Sequence, residues 1–265
     1  MRQSIVARTG RGIYDAVFRP AAFVGVDHEA LEGSLLGIGR QFGRLGVVFF
    51  VNLAAYAVPL TLAGFGAVPQ STPPAGFAAL VAPVVSDPVS AWLFVARFTQ
   101  NGLYLTGAAV ATFVAFHAGV LLTRSSAGVL ASIHTVIYST SAYLAGIFSF
   151  VMYLDARESF ARAAELVLWI QLQFVYAIID AMGSDLILQN AGRPAPVPPQ
   201  DVSVGGQLLV AGLAVAGIYY VYSLYLGSRV NHDTSRTTAV LTVGAVLTTP
   251  VLFVVGSVLA VTTFT

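Results

Sequence analysis

The chain has 265 residues, of which 57% are hydrophobic and 9% charged, against about 25% charged in an ordinary soluble domain, so the composition excludes a water-soluble globule. Thirteen basic and 12 acidic residues leave a net charge of +1, without the single-sign excess of a nucleic-acid binder. Every basic residue is Arg and there is no Cys, which excludes lysine Schiff-base chemistry, disulfides, thiolate metal ligands and a cysteine nucleophile.

The first element is an arm, residues 1–43. No apolar core of signal-peptide type follows its early arginines, so it reads as cytoplasmic or interfacial. Asp27 can cap a helix whose Leu31, Leu35, Leu36, Ile38 and Phe42 recur at a 3–4 spacing, with Arg40 and Arg44 near the headgroups. Residues 44–265 read as a transmembrane helical domain. About 20 apolar residues cross the hydrocarbon layer. Six runs of that kind stand out: Leu45–Val68, Gly102–Leu122, Gly128–Leu154, Ala163–Leu188, Val204–Leu226 and Thr237–Phe264. A further stretch, Gly76–Ala96, carries Pro83, Asp87 and Pro88 in its middle, so it is either a broken crossing or a segment that does not span. The expected fold class is an all-α polytopic bundle of six to seven spans.

Arginine placement favours seven. If each later run crosses once, Arg97, Arg157, Arg162, Arg229 and Arg236 share one side, and Arg124 and Arg193 the other. A broken crossing at Gly76–Ala96 adds the six arginines of the arm to the larger group, giving 11 against 2. The positive-inside rule then puts the N-terminus in the cytoplasm and the C-terminus outside.

Ionisable groups inside a bilayer are costly and therefore functional candidates. His117 and His134 lie about two turns on either side of the turn Thr123–Ala127, at similar depth on antiparallel neighbours. Either they face one gap and serve as axial ligands of a haem b, or each is satisfied by a neighbour such as Ser132, Thr135 or Tyr138. Asp180 lies about 25 Å along its helix from Arg162 and forms, with Tyr176, either a proton or cation site or an interfacial end to the span, together with Asp185. Asp87, between two prolines, is either a substrate or ion site in a broken helix or a solvated loop carboxylate. Tyr219, Tyr220, Tyr222 and Tyr225 read as an interfacial aromatic belt. His232–Arg236 (HDTSR) carries a His, an Asp and a Ser in a row, which is not the spatial relay of a triad. No catalytic residue and no metal site is assigned.

The stretch from His117 to Gly146 (HAGVLLTRSSAGVLASIHTVIYSTSAYLAG), with an aromatic-Ser pair at Tyr138–Ser139, resembles the membrane proteins of the Yip1 family. A second likeness lies in Leu213–Ala239, where a span, a polar loop with His232 and an Ala-rich span follow in that family's order. The resemblance implies a non-enzymatic helical protein, linked in eukaryotic members to membrane traffic; the family's usual number of spans is five, and the chain departs from it with at least six expected and an extra polar hairpin between Asp155 and Ser203.

The leading expectation is a structural or accessory subunit, or a Yip1-like scaffold, that packs against other membrane-protein subunits in the lipid bilayer, binds no cofactor and no nucleic acid, and is not an enzyme. Two alternatives stand beside it. One is a transporter or permease with a site at residues 76–96. The other is a haem- or quinone-binding electron-transfer subunit using His117 and His134. The Arg, Ala, Val and Gly usage points to a prokaryotic cytoplasmic membrane.

Overall fold

The computed structural model describes residues 11, 14, 15, 18–25, 35–62, 72–140, 161–186, 195, 198 and 201–264. All extended elements among them are α-helices: α1 (Pro20–Val24), α2 (Leu35–Leu62), α3 (Ala75–Val81), α4 (Pro88–Leu122), α5 (Val129–Ser139), α6 (Ala161–Ala181), α7 (Val204–Asn231) and α8 (Arg236–Phe264). Four of them, α2, α4, α7 and α8, are long and apolar enough to cross a membrane. The protein is therefore a helical bundle of membrane-protein type. Large apolar side chains such as Phe50, Leu62, Leu103, Ile218 and Phe253 stand exposed around its outside, which water disfavours and a bilayer does not. The helix Asp27 was expected to cap falls partly outside the described residues, as do the end of the third expected span and Arg157 and Arg193.

The proline-bearing stretch Gly76–Ala96 is not a crossing of its own. It is divided between the seven-residue α3 and the start of α4, a continuous helix of 35 residues. Pro88 sits at the first position of α4, where its missing N–H costs no hydrogen bond. Residues 82–87 thus lead into the start of α4.

The contacts also regroup the ends of the helices. Asn101 of α4 donates to Thr61 near the end of α2, and Phe49, earlier in α2, lines a groove with Thr106 and Phe113, later in α4, so α2 and α4 run antiparallel. The Ala127 N–H, in the turn after α4, donates to His232 in the loop between α7 and α8 at 2.9 Å. Those two loops therefore share one end of the bundle. That end collects Arg40 and Arg44 at the start of α2, Arg124 after α4, Arg229 and Arg236 around the α7–α8 loop, and Arg19 before α1. At the opposite end Tyr176 and Ile179 of α6 pack on Val258 of α8, and the helix ends on that side carry Asp87 before α4, Asp180 and Asp185 at the end of α6 and Asp201 before α7. The expected partition, with Arg124 opposite Arg229 and Arg236 and with Arg97 beside them, is corrected. It assumed that every apolar run crosses once, and the turn Thr123–Ala127 instead meets the α7–α8 loop.

One apolar core lies toward the arginine-rich end, with Phe116 and Val120 of α4, Val136 of α5, Leu224 of α7 and Val243 and Val246 of α8. Close approach needs glycine at two places. A Cβ on Gly119 would stand 3.0 Å from the Thr242 Cα of α8. One on Gly227 would stand 2.2 Å from Thr135 Cγ2 of α5 and 2.9 Å from Val24 Cγ1 of α1. Small residues at such crossings let helix backbones pack where lipid offers no hydrophobic drive.

Candidate functional site: a polar seam at the arginine-rich end

The arginine-rich end is held by side chains that the sequence places far apart. His232 closes α7 as its C-cap residue. Its Nδ1 accepts from Ala127 N–H, and its Nε2 lies 3.2 Å from Ser132 Oγ, which in turn lies 2.9 Å from His117 Nδ1. Because the Ala127 amide can only donate, a neutral His232 carries its proton on Nε2 and donates to Ser132. The serine hydroxyl then donates to His117 Nδ1 or accepts from it according to the His117 tautomer. Ser132 is wholly buried and His232 is 4% exposed. Rings flank both histidines: Phe113 stacks on His117 and Phe116 lies tilted against His232, each with centroids 5.7 Å apart.

A second group adjoins the first. Asn231 Nδ2 donates to the Val24 carbonyl of α1 at 3.0 Å and to Thr135 Oγ1 at 2.8 Å, while Thr135 Oγ1 donates to the Ala131 carbonyl of its own helix. Val24 fills the space left by Gly227, and Phe23 meets the Tyr138 ring edge-on at 5.5 Å. Ser228 bonds Thr234, and the Arg229 guanidinium donates to the Thr234 carbonyl. The seam thus ties α1, the turn after α4, α5, and the α7–α8 loop into one unit.

The residues expected to carry chemistry fall as follows. His117 is linked through Ser132 to His232 and not to His134. His134 is 5% exposed and stacks on Tyr138 with centroids 4.2 Å apart; its Nδ1 is buried with no hydrogen-bond partner among the described residues. The haem reading required the two imidazoles to face a common gap, and their contacts instead point to different neighbours. Asp87 is exposed and caps α4: its carboxylate accepts from the Ser90 hydroxyl at 2.6 Å and from the Val89 and Ser90 amides. These bonds, the Ser90 hydroxyl foremost, hold its pKa below the ordinary carboxylate value. Tyr176 is buried in the apolar contact with Val258, whereas Asp180, one turn on, is exposed at the helix end. Of the tyrosine cluster, Tyr220 turns inward and donates to Thr112 of α4, while Tyr222 and Tyr225 stack on each other at the surface. Among the described residues no three His, Asp or Glu side chains come close enough to hold a metal ion.

Ser132 and Thr135 were foreseen as partners for histidine, but Gly227, Asn231 and the role of His232 were not. Their signal was present as an unusually polar run, Ser228–Arg236, ending an apolar helix. The two described cavities are both apolar grooves, one between α7 and α8 and a smaller one lined by Phe49, Phe113, Val136 and neighbours. Comparison with protein-family models, with curated proteins and with solved structures finds no match to the chain.

Proposed function

We propose that this is a non-enzymatic integral membrane protein acting as a scaffold or accessory subunit, with its arginine-rich end and N-terminal arm in the cytoplasm. The observation that carries the reading is the polar seam. Its Ser132 and His232 are buried and its His117 half-buried, and they are bonded to one another and to backbone, which supports a role in fixing helices and loops. The charge difference between the two ends supports the orientation, since cytoplasmic loops carry the excess of arginine. The resemblance to the Yip1 family points the same way.

The chain starts α2 at the arginine-rich end and finishes α8 at the other, which requires an odd number of crossings. We read five: α2, α4, α6, α7 and α8, with α5 entering the bundle from the arginine-rich end. The absence of native cysteine makes single-cysteine labelling a clean test in sealed cells with a membrane-impermeant maleimide. Ser86→Cys and Ser184→Cys should label from outside, and Ser126→Cys only after lysis. Labelling of Ser126→Cys from outside would overturn the orientation. For the function itself, purification in mild detergent should bring a stoichiometric membrane partner. A monodisperse, partner-free monomer would overturn the scaffold reading.

A further inference from the structure

The groove between α7 and α8 has the shape and charge pattern of a site for one particular class of molecule. It is an open groove of about 700 Å³, lined by Ala214, Gly217, Ile218 and Tyr222 from α7 and by Gly244 and Leu247 from α8. That volume lies within the usual range for ligand sites, ~300–1,000 Å³. Along α7 the lining from residue 214 to residue 225 extends for about 16 Å at 1.5 Å per residue, roughly half the hydrocarbon thickness. A Cβ on Gly217 or Gly244 would meet nothing within 4 Å, so these glycines do not serve the contact of α7 with α8; they hollow the groove.

The helical period continues each wall into an arginine. On α7 the wall residues 218, 222 and 225 are followed one turn later by Arg229; on α8 the residues 247, 243 and 240 are preceded one turn earlier by Arg236. At 100° per residue each arginine falls within about 40° of its wall. Tyr222 and Tyr225, stacked at 6.3 Å, stand between the apolar floor and the two guanidinium groups, in the order hydrocarbon, aromatic belt, headgroup. Arg229 is fixed by its bond to the Thr234 carbonyl, and Arg236 is exposed. Neither has a carboxylate in ion-pair range among the described residues, although Asp233 lies on the same loop.

We propose that this groove is a binding site for an anionic phospholipid of the cytoplasmic leaflet, with one acyl chain along α7 and α8 and the headgroup phosphate at Arg229 and Arg236. Basic pockets between transmembrane helices recognise anionic headgroups by this combination. The site rests on α7 and α8 lying in a bilayer and, for the leaflet, on the proposed orientation of the arginine-rich end, but not on the scaffold reading.

Native mass spectrometry of the full chain, released from mixed micelles containing equal amounts of phosphatidylglycerol and phosphatidylcholine with matched acyl chains, tests the proposal. The wild type should retain phosphatidylglycerol at least ten-fold over phosphatidylcholine. Arg236→Gln and the double variant Arg229→Gln/Arg236→Gln should lose that preference progressively. Gly217→Leu/Gly244→Leu, which fills open space, should lose retention of both lipids. Size-exclusion elution and helical circular dichroism unchanged from wild type exclude unfolding as the cause, and Arg236→Gln, at an exposed position, keeps the test valid if the double variant misfolds. Equal retention of the two lipids, a preference untouched by Arg236→Gln, or retention unchanged in the filled groove would overturn the proposal. So would a dimer that the filled groove disrupts, because a second copy would then be the occupant.

Discussion

The two ends of the bundle hold themselves together by different means. At the arginine-rich end the contacts reach across the sequence: Asn231 to Val24 and Thr135, His232 to Ala127 and Ser132. Among the described residues at the aspartate-rich end, the helix caps are local. Asp87 and Ser203 cap their own helices, and Gly183, at φ 66°, lets α6 end with Ser184 N–H returning to the Ile179 carbonyl. Tertiary cohesion there comes from apolar packing of Tyr176 and Ile179 on Val258 and from the bond of Asn101 to Thr61. A locally capped end tolerates change in its neighbours. A cross-linked end transmits it, and it is the end on which the N-terminal arm is seated.

The largest break in this comparison should come from Gly227→Ala. Its new Cβ has no room between Thr135 and Val24, and overpacking of a filled contact costs about 1–3 kcal/mol. Thermal unfolding followed in detergent should show a clear loss for this variant. Gly102→Ala, on α4 at the other end with nothing within 4 Å, should be neutral or slightly stabilising, as expected for replacing a helical glycine. Equal losses at the two positions would mean that the ends are not differently packed. Next in size is Asn231→Leu, which strips the Val24 carbonyl and Thr135 of a shared donor in a buried place, at a cost of about 1–3 kcal/mol. Its distinctive readout is hydrogen exchange: the amides of Phe23 and Gly25, bonded within the α1 turn, should exchange faster while those of α6 do not change.

A smaller effect of opposite sign follows from how α4 ends. Ser125 N–H returns to the Val120 carbonyl and Arg124 N–H to Leu121, with Arg124 at φ 55°. This is the turn that glycine makes without strain, and a left-handed conformation costs a side-chain-bearing residue about 1–2 kcal/mol. Arg124→Gly should therefore raise the unfolding temperature by a few degrees. A decrease would show that the guanidinium, not the backbone, stabilises this turn. Asp233, at φ 47° in the neighbouring loop, holds the same kind of position. The arginine-rich end thus carries side chains where the aspartate-rich end uses Gly183.

The membrane class, the helix composition and several helix boundaries were legible because apolar run length is a one-dimensional property: the runs expected at 204–226 and 237–264 appear as α7 and α8 with only their ends shifted, whereas α2 and α4 begin ten and fourteen residues before the expected starts at 45 and 102. The sidedness of Arg124 was not legible. It depends on which loops meet, and nothing in the turn TRSSA announces that its last residue, Ala127, will bond His232, 105 positions away. The candidate site was half legible for the same reason. His117 and Ser132 are close in sequence across one short turn, so their bond was within the foreseen set, whereas the bridge to His232 required knowing that α5 packs on α7. Asp87 between prolines resembled a broken-helix site because the pattern of a mid-membrane break and that of a helix start share the same residues. Only the continuity of α4 through Arg97 distinguishes them.

The smallest expected effect tests the local character of the aspartate-rich end by pH. The folded Asp87 carboxylate titrates below its ordinary value near 3.8, chiefly because the Ser90 hydroxyl and amide bond to its charged form. A group whose pKa is lowered by folding contributes stability that is complete above the unfolded pKa and is lost as pH falls through the folded one. The contribution should therefore be intact above about pH 5 and decline below about pH 4, by little, since the carboxylate is fully solvated. Asp87→Ser supplies a capping hydroxyl that does not titrate. The difference in unfolding temperature between wild type and Asp87→Ser should then shrink or reverse as pH falls from 5 to 3, with hydrogen exchange in the first turn of α4 changing and that around Asn231 not. A difference that stays constant over that range would mean that Asp87 does not cap α4 in its charged form. A change that spread to the Asn231 seam would show that the two ends are coupled through α4, and the contrast between a local and a cross-linked end would fail.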